Sequence, residues 1–148
     1  MPDKRLAALA ATVEGYLEQM GLPNQPSEDH LYMFRRGSTA IVVSLFMDED
    51  ARHTFVRFTA PTLSDFEPTL DLVREILRLN AEVLFGAFIL FDENTLCFSA
   101  TLLGDKLDFE EFETALSYVA QVSDDYDDML QDLAGGHRVA DLLKEFDG

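Results

Sequence analysis

The chain has 148 residues, a length that fits one domain with a proper core. Of these residues 47% are hydrophobic, which excludes intrinsic disorder. With 28 Asp and Glu against 11 Lys and Arg, the formal net charge is −17. Such a surface disfavours direct binding of nucleic acid, where Lys and Arg displace counterions from phosphate, and of anionic membranes.

The acidity has two readings: it keeps a small protein soluble and dispersed, or it steers a basic partner or mimics nucleic acid. Solubility is the simpler one. Cys97 is the single cysteine, so no internal disulfide can form, and a reducing compartment fits. Residues 1–20 lack the apolar run of a secretory leader, and the longest apolar stretch, Val83 to Phe91, is far too short to span a bilayer. A cytoplasmic address is expected.

In chain order, residues 4–20 read as an amphipathic helix with Leu6, Leu9, Val13, Leu17 and Met20 on one stripe. Gly21 stops it, and a turn-rich connector follows through Pro26. Strands are predicted over His30 to Arg36, Thr39 to Met47 and Ala51 to Thr59, with Asp48, Glu49 and Asp50 as a hairpin turn. Ala60 to Glu67 reads as a loop. Pro68 suits the first turn of a second helix, which carries Leu70, Val73, Ile76 and Leu77 to about Asn80.

Val83 to Phe91 and Thr95 to Leu103 form a second hairpin around Asp92-Glu-Asn94. Asp108 and Glu111 have capping-box spacing before a long helix, with Leu107 and Phe112 placed as a hydrophobic staple. Gly135 and Gly136 end that helix, and Arg138 to Phe146 reads as a short terminal one. The order is α-β-β-β-α-β-β-α. It predicts an α+β domain over residues 1–148, an antiparallel five-stranded sheet with helices packed against it.

Two strands are apolar on both faces. In Thr39 to Met47, Ile41, Val43, Leu45 and Met47 oppose Ala40, Val42, Ser44 and Phe46; Val83 to Phe91 is similar. A sheet with one wet face should alternate apolar with polar. Either helices cover both faces or another chain closes one of them, and a homodimer is the expectation. Four such side chains, at about 1.5–3 kcal/mol each, would suffice to favour association.

No catalytic signature emerges. His30, His53 and His137 are scattered, without metal-pair spacing. Cys97 lies mid-strand with no cation or helix N-terminus near it in sequence. Asp124, Asp125, Asp127, Asp128 and Asp132 lack the central Gly and terminal Glu of a calcium loop and read as a solvated helix face. No phosphate-binding glycine loop or Gly-x-Ser-x-Gly is present. No cofactor is expected, and no enzyme.

The segment from Leu77 to Gln131 carries a family resemblance. Leu77-Arg-Leu-Asn80 runs into Ala81-Glu-Val-Leu-Phe-Gly86-Ala-Phe, followed by the polar hairpin and Leu107-Asp-Phe-Glu-Glu-Phe112. With Asp125 and Tyr126 in the last long helix, this resembles the YbjN family, whose topology is similar to that of type III secretion chaperones. The match covers something over a third of the chain well; the earlier strands agree in order and type.

The resemblance implies a bacterial, cytoplasmic, dimeric module that binds segments of other proteins, chaperone-like or as an adaptor, and carries no catalytic residues. The expected partner surface lies around Leu31, Met33, Val43 and Leu45. The expected self-interface lies around Val73, Leu77, Phe85 and Phe88. Two competing readings are an acidic regulator that meets basic nucleic-acid-handling proteins, and an enzyme with a site assembled from distant residues around His30 or His53.

Overall fold

A computed structural model describes residues 3–147, and their side chains as far as Lys144. The elements are α1 (Lys4–Gln19), β1 (Leu31–Arg36), β2 (Thr39–Met47), β3 (Thr54–Ser64), α2 (Leu70–Glu82), β4 (Ala87–Asp92), β5 (Thr95–Leu103), α3 (Phe109–Ala134), β6 (His137–Arg138) and α4 (Val139–Asp147). The sheet is antiparallel in the order β1-β2-β3-β5-β4, with β6 added beside the end of β3. The expected α+β class and element order hold; the two-residue β6 is an addition to the five expected strands.

Local chemistry sets the helix ends. The Asp3 carboxylate accepts from the Arg5 N–H at 2.8 Å and caps α1. Asp108 and Glu111 close a reciprocal capping box on α3. On α2 the cap is the Thr69 hydroxyl, which accepts from the Leu72 N–H, so Pro68 stands just before the helix rather than in its first turn.

Register divides the sheet residues between two faces. Val43 pairs with Phe58 and Leu45 with Val56, and Phe58 pairs with Ala100 across β5. With Tyr32, Ile41 and Phe98, these side chains are buried. The Phe58 ring meets Phe112 of α3 at 5.2 Å between centroids, which identifies the helix-covered face. Leu9, Val13 and Leu17 of α1 join the same core.

Two expectations fail for identifiable reasons. Residues 60–64 are not a loop: β3 continues through Pro61 to Ser64, with a register shift between Pro61 and Leu63. Proline is tolerated there because β2 pairs with β3 no further than Thr59, so on that side no ladder partner needs the missing N–H. Residues 83–86 are not strand. Gly86 turns the chain at φ +82, and a Cβ on it would lie 2.8 Å from the Ser99 carbonyl oxygen, so only glycine fits.

Asn80 fixes the start of β4. Its Oδ1 accepts from the Phe88 N–H at 2.7 Å and its Nδ2 donates to the Phe88 carbonyl at 3.2 Å. The amide thus stands where a further strand would pair, and it occupies the outer edge of the sheet. Asn80→Ala leaves two peptide groups of a buried residue unpaired. It is expected to cost about 1–3 kcal/mol, read as a lower urea midpoint with unchanged slope. An unaltered midpoint would show that water replaces the amide.

Candidate functional site

The face of the sheet turned away from α1 and α3 carries three cross-strand rows, and beyond the third of them Arg35 stands opposite Ala40 on the same side. Phe46, Phe55 and Leu103 align in the first; Leu31, Ser44, Arg57 and Thr101 in the second; Met33, Val42, Thr59, Ser99 and Ala87 in the third. Met33 is 59% exposed and Leu103 57%. Phe46 and Phe55 stack at 5.5 Å, and the Arg57 guanidinium lies 4.6 Å from the Phe46 ring centre. Arg57 Nε also donates to Thr101 Oγ1 at 3.0 Å. At one end of the sheet α4 packs against β2 and β3.

A second apolar surface lies on α2. Leu72, Ile76 and Leu79 point into the core, whereas Leu70, Val73 and Leu77 face out. Leu77 is 66% exposed, and Leu84, just past the helix, 85%.

The structure redistributes the expected contact residues. Leu31 and Met33 lie on the outward rows, but Val43 and Leu45 are core side chains on the helix-covered face and cannot meet a partner there. The signal was present: Arg57 marks the outward side of its strand, and hairpin pairing carries that side to Ser44, turning Val43 and Leu45 inward. Val73 and Leu77 are exposed as a self-interface needs. Phe85 is half-buried, stacked on Tyr118 at 4.6 Å, and Phe88 is buried against Phe98 and Tyr126.

The residues considered for chemistry are placed otherwise. His53 Nδ1 lies 2.6 Å from Asp105 Oδ2, while Asp105 Oδ1 accepts from both the N–H and hydroxyl of buried Thr54, each at 2.8 Å. These bonds hold the Asp105 carboxyl down at about 2. The Thr54 hydroxyl therefore serves the carboxylate, not His53, and the group clamps the β2–β3 hairpin to the turn after β5. His30 turns the chain at positive φ and its carbonyl accepts from Leu45 N–H. Burial pushes the Cys97 thiol up to about 11, against thiolate formation.

Asp127 departs from the solvated helix face expected for its neighbours. It follows Ser123 and precedes Leu130 on the buried stripe of α3, at 6% exposure. Burial raises its carboxyl to about 6, against the pull of Arg138. Arg138, carried in by β6, bonds Asp128 and Asp141 and reaches to 3.9 Å of Asp127.

A family model described as "T3SS (YopN, CesT) and YbjN peptide-binding chaperone 1" matches residues 7–142. The chain belongs to this family. Among solved structures it is similar to a chain of the ExsC–ExsE complex, with a TM-score of 0.67 at 14% identity, covering 84% of this chain and 95% of that one. It is also similar to a chain of the heterodimeric ExoU–SpcU complex from the type III secretion system of Pseudomonas aeruginosa, with a TM-score of 0.62 at 14% identity, covering 81% and 98%. A structure of E. coli YbjN superposes at 0.48 with 14% identity, covering 80% and 91%, too loosely to carry weight. No curated protein matches by sequence. These likenesses establish the fold, and the family indicates a protein-binding chaperone. No helix among the described residues is long and apolar enough to cross a membrane.

Asp127 gives the molecule a pH signature. Its pKa is about 3.9 unfolded and about 6 folded, so between those values the native state binds more protons. Stability contributed by the neutral form is present at about pH 4 and is lost as pH rises through 6. Asp127→Asn is expected to remove this slope, on the order of 3 kcal/mol, in urea titrations run between pH 4 and 7. Parallel profiles for the variant and the parent protein would contradict the assignment.

Proposed function

We propose that the chain is a non-catalytic chaperone or adaptor that holds segments of other proteins on the outward sheet face and pairs with a second copy through α2. The supporting observation is the outward face itself. It presents Met33, Leu31, the Phe46–Phe55 pair and Leu103 on a rigid sheet, which gives a partner apolar contacts at little ordering cost. β1 pairs with β2 alone among the described strands; the peptide groups of Leu31 bond Ser27 and Glu28, and beyond them the other edge of β1 can receive an extended segment by strand addition. A single buried free cysteine supports a reducing, cytoplasmic setting for a bacterial protein of this family.

Met33→Asp places a charge on the edge-strand side of this surface without touching the core. Affinity for an apolar partner segment, measured by fluorescence anisotropy, is expected to fall at least about tenfold while the far-ultraviolet circular dichroism stays the same. Undiminished binding would move the site elsewhere.

For self-association, Leu70, Val73 and Leu77 recur at helical spacing on the exposed side of α2, and Leu84 continues the apolar surface beyond its end. Burying such side chains contributes about 1.5–3 kcal/mol each. Leu77→Asp is expected to convert a dimer to a monomer in sedimentation velocity. A parent protein that is already monomeric at micromolar concentration removes this part of the proposal.

A further inference from the structure

Net charge and local charge point to opposite partners. The whole chain, at −17, calls for a basic ligand, yet the three outward rows contain no Asp or Glu; Arg57 is the one charged residue in them, and Arg35, opposite Ala40 beyond the third row, is a cation as well. The nearest carboxylates along the strands are already engaged beyond the aromatic row. Asp48 accepts from the Arg52 and His53 N–H groups, and Asp105 from Thr54 and His53. Arg57 itself bonds Thr101 through Nε and covers Phe46. Among the described residues no carboxylate pairs with it. The terminal guanidinium nitrogens are left as exposed donors between Leu31 and the Phe46–Phe55 pair, where a partner that covers them and excludes water strengthens a charge-assisted bond.

Resting on the reading of this face given above, we infer that Arg57 is the polar anchor for a partner helix whose apolar stripe carries one carboxylate midway. The geometry fixes the spacing. Phe46 and Val42 stand four residues apart on β2, about 14 Å, with the Arg57 row between them. A helix lying along the strands covers about 12 Å between positions i and i+8. Apolar residues at those two positions reach the first and third rows, and an acidic residue at i+4 reaches Arg57. A second copy of this chain does not fit: apposing the same rows would bring two Arg57 side chains together with no carboxylate between them. Screening over about 8 Å at physiological salt keeps distant acidic helices from reversing the local preference.

The test uses the full chain and three labelled amphipathic peptides of about four helical turns, identical except for Glu, Gln or Lys at the central stripe position. In fluorescence anisotropy at physiological salt, the Glu peptide is expected to bind at least about tenfold more tightly than the Lys peptide. Arg57→Gln is expected to flatten the series and Arg57→Glu to invert it. Thermal melts check that both variants fold, as expected for an exposed side chain. Equal binding of all three peptides overturns the anchor while leaving the peptide-binding reading intact. Preference for Lys overturns it in favour of control by net charge. Failure of every peptide to bind also overturns it, and the Met33→Asp measurement on partner segments then decides whether the wider reading falls too.

Discussion

The sheet is packed by α1 and α3 from one side, and the rest of the molecule follows from that asymmetry. Tyr32, Ile41, Val43, Phe58, Phe98 and Phe112 fill the covered side to near-complete burial, where interior packing density leaves little freedom for change. The remaining apolar residues of the same strands must go to the opposite side, because side chains alternate. The outward Met33, Phe46, Phe55 and Leu103 are thus the direct product of strands that are apolar throughout, folded into a domain with helices over one face. A monomer rarely keeps such a surface without a use for it.

The edges of the sheet are managed unequally. Asn80 holds both peptide groups of Phe88 on β4, and β6 pairs with β3 at Leu63 and Ser64, beyond the reach of β2. The β6 contact depends on Gly136, where a Cβ would fall 2.4 Å from the Ser64 carbonyl oxygen, and on Arg138 reaching the aspartates of α3. Two of the places where a foreign strand might add are therefore occupied by the chain itself, which directs strand addition toward the part of β1 beyond Leu31, whose own peptide groups bond Ser27 and Glu28.

Much of this order was legible, and the failures have a common cause. The capping box at Asp108 and Glu111 and the hairpins are local features, written within a few residues, and they are found where the sequence puts them. Which side of a doubly apolar strand turns inward is a non-local fact: the strand alone does not distinguish Val43 and Leu45 from their neighbours, and Arg57 together with the register turns them inward. Pro61 concealed the extension of β3, since its tolerance depends on where β2 stops. Asp127 was hidden in a run of acids, although its helical spacing with Ser123 and Leu130 distinguishes it from Asp124, Asp125 and Asp128. The role of Asn80 required knowing which strand edge it would meet.

The same distinction between local and summed properties governs how charge is read. A surplus of carboxylates sets solubility and the long-range approach of partners, but recognition is decided within a few ångströms, where fixed side chains exchange hydrogen bonds and exclude water. On this chain the exposed carboxylates lie largely on helices and at hairpin ends, and Arg57 stands among uncharged side chains in their absence. An acidic protein of this construction can repel anionic polymers at a distance and still select a carboxylate at contact. The partner's chemistry is then written in the outward rows of the sheet rather than in the total charge.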